Sequence, residues 1–234
     1  MGNFWESLVQ AFELLLSGDS SVWEIVWLSI GVSTLAVSIA TVIGVPLGYL
    51  LGSFRFWGRR FAFTVVNTGM GIPPVVAGLV VYMMLSRSGP FGELELLFSV
   101  PAMIIAQVVI STPLVLGVTA AAVGSIPFEL RLQARSLGAG RMQEAKLTIK
   151  EARRGVMAAV VAGFGGVISE VGAVMLVGGN IQHSTRVMTT AIVLETRKGN
   201  FDTALALGFI LITIGFIINN GLTALQQSGG RYER

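Results

Sequence analysis

The sequence predicts an all-α integral membrane protein with about five transmembrane helices. Three observations point there. Apolar residues make up 53% of the chain and charged ones 12%, with a mean hydropathy of +0.75, a balance that suits lipid rather than water. Uncharged stretches recur, and a hydrocarbon core ~30 Å thick needs about 20 residues of helix to cross it. The alternating pattern of a membrane barrel is absent, and unsatisfied backbone groups are too costly in hydrocarbon for open strands.

Residues 1–20 have no Lys or Arg ahead of their apolar side chains, so they do not read as a cleavable signal peptide. Phe4, Leu8, Phe12 and Leu15 recur at helical spacing, as in an amphipathic helix lying along the membrane interface. The apolar blocks follow at Val22–Leu51, Phe61–Leu85, Phe98–Gly124, Val156–Gly178 and Thr203–Leu225. Gly44 and Gly48 in the first, and the Gly163–Gly166 run in the fourth, are small residues that let helices approach closely. In the second block Thr68, Gly69 and Gly71 precede Pro73 and Pro74; in the third, Ser111 and Thr112 precede Pro113. Both are places where the helix should be interrupted. Glu170 stands mid-way along the fourth block, where an ionised side chain costs about 2.5–3.5 kcal/mol to insert.

The basic residues set the orientation. Arg55, Arg59 and Arg60 fill the first connection, and Arg131, Arg135, Arg141, Lys146, Lys150, Arg153 and Arg154 the third, so both should be cytoplasmic. The segment before the first span carries Glu6, Glu13, Asp19 and Glu24 and no base, which puts the N-terminus outside; the second connection, with Arg87 beside Glu93 and Glu95, joins it there. An odd number of spans leaves the C-terminus inside, in keeping with Arg231 and Arg234. Gly179–Asp202 alternates to the outer side despite Arg186, Arg197 and Lys198.

The third connection, residues 125–155, is the longest on the cytoplasmic side. Pro127 suits a helix start, and Leu130, Ala134 and Leu137 fall at i, i+4 and i+7 as an apolar stripe. Gly138 and Gly140 supply a stop and a turn before a second short helix, Met142 to Arg153. Such a helix either fits a groove on a partner or rests on lipid headgroups.

"QARSLGAG" (133–140), followed by "ISEVGAVMLVGGNI" (168–181), resembles the signature of permease subunits of ATP-binding-cassette (ABC) importers, whose cytoplasmic loop reads Glu-Ala-Ala-x-x-x-Gly. Ala134 and Gly138 match; Gln133 and Leu132 replace the first Ala and the Glu. "GIPPVVAGLVVYMMLSRSGPFG" (71–92) and "SEVGAVMLVGGNI" resemble molybdate and tungstate permeases, and "TRVMTTAIVLETRKGNFDTALALG" (185–208) the tungstate members more closely. The resemblance spans about Val22 to Gln226 and implies one type I importer transmembrane domain over 1–234. It also implies that Ala134, Arg135, Ser136, Leu137, Gly138 and Ala139 are the contact with an ATPase subunit.

No Gly-x-x-x-x-Gly-Lys-[Ser/Thr] loop is present, so ATP and magnesium belong to that partner and this chain is neither an enzyme nor a cofactor carrier. The absence of cysteine and a single histidine, His183, leave no metal site. Five spans are few to enclose a pathway, which points to a symmetric homodimer on two ATPase subunits, supplied by an extracytoplasmic tungstate- or molybdate-binding protein. With an oxyanion as solute, Thr68, Gly71, Pro73, Ser111 and Thr112 become pathway candidates that free amides or hydroxyls, against plain proline kinks. Glu170 would repel such a solute, so it either braces a conformational state or is a structural carboxylate bonded to hydroxyls or amides. His183, Arg186, Arg197 and Lys198 would attract an oxyanion, meet a binding protein, or simply be solvated. Basic residues flank spans rather than forming an aromatic-interleaved patch, which excludes nucleic acid. The rival readings are a permease for sulfate or an amino acid, a secondary transporter or channel needing no ATPase, and a membrane scaffold.

Overall fold

The computed structural model describes residues 9–11, 13, 14 and 18–227, and among them every regular element is helical. Phe4, Leu8, Phe12 and Leu15, which carry the expected interfacial helix, and Arg231 and Arg234 lie outside the described residues.

The helices are α1 (Ser20–Ser53), α2 (Arg59–Gly71), α3 (Pro74–Leu85), α4 (Val100–Gly124), α5 (Phe128–Ser136), α6 (Arg141–Glu151), α7 (Arg153–Ile168), α8 (Gly172–Gly178), α9 (Met188–Lys198) and α10 (Phe201–Gln227). By length and composition α1, α4 and α10 can cross a membrane, and the count reaches five if the bent pairs α2–α3 and α7–α8 each make one span. At 34 residues α1 is about 51 Å long, longer than the hydrocarbon is thick. It opens on Asp19, whose carboxylate accepts from the Ser21 amide at 2.8 Å and Ser21 hydroxyl at 2.6 Å.

The second block is interrupted where its proline pair predicts: Ile72 and Pro73 are extended, with ψ of 127° and 128°, because each precedes a proline whose ring excludes the helical conformation there. Three other expectations need correction. The fourth block breaks at 169–171, so Glu170 sits in non-helical chain rather than mid-helix. Pro113, expected to interrupt the third block, lies inside continuous α4. The third block also starts later than Phe98, which has a φ of 61°.

The chain divides into two compact units. One comprises residues 1–36, 73–107 and 165–218. In it α3 and α8 pack backbone to backbone: a Cβ on Gly78 would stand 2.5 Å from the Ala173 Cα. The buried Gln107 donates to the Val167 carbonyl at 3.2 Å. Ser29 in α1 accepts from the Met188 amide at 2.7 Å and so holds the start of α9.

The other unit comprises residues 37–72, 108–164 and 219–234. Here Gly44, Gly48 and Gly52 of α1 let α4 come close enough that a Cβ on Gly48 would stand 2.7 Å from the Leu116 carbonyl oxygen and one on Gly52 2.5 Å from that of Ala120. The contacts advance in the same direction along both helices, so α1 and α4 run parallel. Ala40, Val115 and Ala159 form one buried cluster and Tyr49, Val123 and Ala152 another, the second packed against Ile126, just before α5, and Ala145 and Ile149 of α6.

Candidate functional site

The polar excursion is a helical hairpin. Pro127 caps α5, which ends at Ser136; Gly138, with a φ of +86°, reverses the chain, its amide and that of Ala139 bonding to the carbonyls of Arg135 and Ala134. Gln143 Oε1 then accepts from the Gly140 amide at 2.8 Å to start α6.

Two arginines make the hairpin rigid. Arg131, only 7% exposed, donates from Nη1 to the Ser53 carbonyl at 3.2 Å and from Nη2 to the Val123 carbonyl at 3.0 Å. These oxygens lie at the C-terminal ends of α1 and α4, where the helix dipole is negative and a cation is stabilised. Arg135 forms a two-pronged pair with Glu144 at 2.7 and 3.0 Å. That hydrogen bond and the carboxylate's charge raise the Arg135 pKa above its ordinary value. Arg59 completes the collar, donating from Nε to the Leu51 carbonyl at 3.1 Å with its guanidinium 4.9 Å from the Phe63 ring centre.

The expected stripe is divided. Leu130 and Ala134 are half-buried, but Leu137 is 89% exposed, because α5 stops one residue before it and the turn carries it outward. Phe128, Leu132 and Met142 are also exposed, apolar side chains on an otherwise charged hairpin. Ser136 and Gly138 are exposed beside it and Ala139 is half-buried. Sequence reasoning missed the tying roles of Arg131 and Glu144. The signal for the latter was present: opposite charges on either side of a double-glycine turn.

The pathway candidates do not form one site. Thr68 and Thr112 line a cavity of about 570 Å³ whose other walls are almost all carbon, from Phe61, Val65, Ile72 and Leu116 among others. The Thr112 hydroxyl donates to the Val108 carbonyl at 2.7 Å, so its proton is already committed. Ser111 is buried, while Gly71 and Pro73 are exposed at the α2–α3 break.

Glu170 is half-buried, and its Oε1 accepts from the Ala173 amide at 3.0 Å while its own carbonyl accepts from Thr189 Oγ1 at 2.8 Å. It caps α8 and joins α8 to α9.

Two of the four basic residues of the 179–202 segment stand beside acids. His183 Nδ1 lies 2.8 Å from Glu24 Oε2, and Lys198 Nζ 2.9 Å from Glu195 Oε1; Arg197 is exposed. A cavity of about 230 Å³ between α1, α9 and α10 gathers these pairs with Arg186. Among the described residues no group of three His, Cys, Asp or Glu could hold a metal.

Residues 44–228 match the family described as "Binding-protein-dependent transport system inner membrane component". Among curated proteins, the chain is 44% identical over 82% of its length to a probable anion ABC transporter permease of Haloferax volcanii, covering 84% of that protein. It is 41% identical to the tungstate uptake system permease TupB of Peptoclostridium acidaminophilum, covering 95% of this chain and 97% of the relative. The TupB of Campylobacter jejuni is 35% identical over 92% and 90%. Among solved structures, an inward-facing MetNI methionine ABC transporter aligns with a TM-score of 0.71 over 89% of this chain and 94% of that one. A bacterial alginate ABC transporter aligns at 0.75 over 96% and 88%. Both are 18% identical and establish the fold, that of type I importer permeases.

Proposed function

Because the chain belongs to the family of binding-protein-dependent transport inner membrane components, we propose that it is the pathway-forming subunit of an ATP-driven importer for tungstate, or for molybdate. The observation that carries the solute class is the 41% and 35% identity to two tungstate permeases over nearly whole chains. The observation that favours an ATP-driven cycle is the hairpin: an apolar tip on a base bonded to the carbonyl ends of α1 and α4 is a lever through which force on the tip reaches the spans.

In this reading two copies form a homodimer in the cell membrane with the N-terminus outside and the C-terminus in the cytoplasm, and each copy engages one ATPase subunit through Ala134–Ala139. The chain itself does no hydrolysis, ATP and magnesium being held by the ATPase. The orientation accords with the His183–Glu24 contact, which holds the 179–187 loop at the N-terminal end of α1, the end that charge bias puts outside. An external binding protein delivers the oxyanion there. ATP binding draws the two hairpins together and opens the pathway outward; hydrolysis returns it. Glu170 contributes by fixing α8 on α9 rather than by touching the anion.

The test is uptake into vesicles holding the whole assembly with its binding protein. ATP-dependent tungstate accumulation, competed by molybdate and not by sulfate or amino acids, is the expected result. Accumulation that proceeds without ATP would overturn the coupled reading, and competition by sulfate alone would overturn the solute.

A further inference from the structure

Helix α2 carries a polar stripe at membrane depth. Arg60, Thr64, Asn67, Thr68 and Gly71 recur at intervals of three and four residues, so they share one face, and all of them are exposed. Val66, Gly69 and Met70, on the other side, meet α4. A Cβ on Gly69 would stand 3.0 Å from the Pro113 Cβ, and one on Gly117 would stand 2.6 Å from Met70 Sδ and 3.2 Å from Val66 Cγ1. These contacts run backwards along α4 as they advance along α2, so the two helices are antiparallel. Arg59, bonded to the Leu51 carbonyl, holds the start of α2 at the C-terminal end of α1. Asn67 stands between Val66 and Gly69, level with residues 113–117 and so roughly 10–17 Å from the end of α4 at 1.5 Å per residue. In a helix able to cross ~30 Å of hydrocarbon, that is near the middle.

Lipid is a poor cover for this stripe, because an amide in hydrocarbon has nothing to bond to. The Thr64 hydroxyl donates to the Arg60 carbonyl at 3.0 Å, so its proton is committed. The Asn67 amide and the Thr68 hydroxyl have no hydrogen-bond partner among the described residues. A dry seam with a second copy fits no better: Arg60 would enter it as a charge, and the α2 of that copy brings no carboxylate to answer it. Water satisfies every one of these groups. Residues 54–71 hold Arg55, Arg59 and Arg60 without an acid, so a solute sharing that water is favoured as an anion.

We propose that this face of α2 lines the water-filled route through the protein, and that Asn67 is a specificity residue whose amide N–H groups donate to a passing tetrahedral oxyanion. Arg60 draws the anion along the same face. A neutral donor orients an anion yet lets it leave, which conduction requires. The inference rests on the reading of the chain as an oxyanion permease and adds to it the residue that meets the solute.

The chain holds no cysteine, so single thiols can be introduced without removing any. Thr64→Cys, Asn67→Cys and Thr68→Cys are prepared in the whole assembly in inside-out vesicles. Val42→Cys is the control: it is 74% exposed and apolar, and its neighbour Gly44 meets Val115, which puts it at a similar depth. Each is treated with the anionic reagent sulfonatoethyl methanethiosulfonate, and the label is read from the mass of this chain. The three α2 positions should react at least about 10-fold faster than Val42→Cys, since the thiolate forms in water and not in lipid. In the cysteine-free chain, Asn67→Leu should lower ATP-dependent tungstate uptake roughly 10-fold or more, and Asn67→Ser, which keeps a donor, should retain most of it. Both should keep the thermal midpoint, which a structural role would move. Labelling on α2 no faster than at Val42→Cys, or uptake by Asn67→Leu equal to that of the unaltered chain, overturns the proposal. If the unaltered assembly carries no oxyanion, the solute reading fails and the role of Asn67 with it, while the labelling contrast still decides whether α2 lines water.

Discussion

Arg135 and Glu144 clasp each other across the Gly138–Gly140 turn, Nε to Oε2 at 2.7 Å and Nη2 to Oε1 at 3.0 Å, with Glu144 almost fully buried and Arg135 half-exposed. The pair fixes the angle between α5 and α6 while its arginine borders the surface proposed for the ATPase. In Glu144→Ala the helix persists, since Ala is the best helix former, but the clasp is gone. ATP-driven uptake should then fall about 2- to 30-fold, the range of a lost coupling contact, with ATPase activity retained. Uptake equal to the unaltered protein's would show that the clasp transmits nothing.

Gly48 tests the α1–α4 seam. A methyl group there would meet the Leu116 carbonyl oxygen and the Thr119 Cβ, each at 2.7 Å, and neither is the movable end of a side chain. Gly48→Ala should cost about 1–3 kcal/mol and lower the thermal midpoint in detergent. Gly31→Ala in the same helix meets nothing within 4 Å and should leave the midpoint unchanged or slightly higher. Equal midpoints for the two variants would contradict the close approach.

Glu170 separates a positioning role from a pathway role. Its bond from the Ala173 amide needs an acceptor oxygen, not a charge. Glu170→Gln should therefore retain uptake and stability, whereas Glu170→Leu should lose about 0.5–2 kcal/mol, as helix caps do, with uptake falling alongside. A charge-dependent role would make Gln fail as badly as Leu, so uptake by the Gln variant decides between them.

Glu195 gives a pH signature outside the spans. Burial raises its pKa, but hydrogen bonds from Lys198 at 2.9 Å and Asn200 at 2.7 Å, with the charges of Lys198 and Arg186, outweigh burial and hold it below the ordinary glutamate value. A depressed folded pKa means stabilisation that is present above the unfolded value of about 4.3 and lost as pH falls through the lower folded one. Near neutrality Glu195→Gln should melt at a lower temperature than the unaltered chain. The gap should close as pH falls below the unfolded value, and a gap independent of pH would contradict this assignment.

Much of this arrangement is readable from residues, and the exceptions have physical causes. The helices α1, α4 and α10 follow from unbroken apolar length. Proline alone did not tell the second block from the third: Pro73 and Pro74 in succession force two residues out of helical geometry, whereas the single Pro113 restricts only Thr112, and α4 continues through it. The break at 169–171 has no proline at all and is held by the Glu170 carboxylate and by the Ser169 hydroxyl on the Gly165 carbonyl at 2.7 Å. The Gly44–Gly48 spacing did identify a packing face. The hairpin's turn was legible in Gly138, but its anchoring was not, because Arg131 and its acceptor Ser53 are 78 residues apart and only the folded chain brings them together.

The divided stripe on the hairpin makes a final, discriminating pair of variants. Leu130 is half-buried and Leu137 exposed, so the same substitution should act on different quantities at the two positions. Leu137→Asp removes an exposed apolar side chain from the proposed contact and adds a charge there. The ATPase subunit should bind roughly 30-fold or more weakly, the loss expected at an interface hot spot, while the thermal midpoint of the isolated chain stays put. Leu130→Asp should instead lower that midpoint, because it puts a charge at a half-buried position. If Leu137→Asp leaves ATPase capture intact in pull-down and uptake assays, the hairpin tip is not the grip, and force from hydrolysis must enter the spans elsewhere.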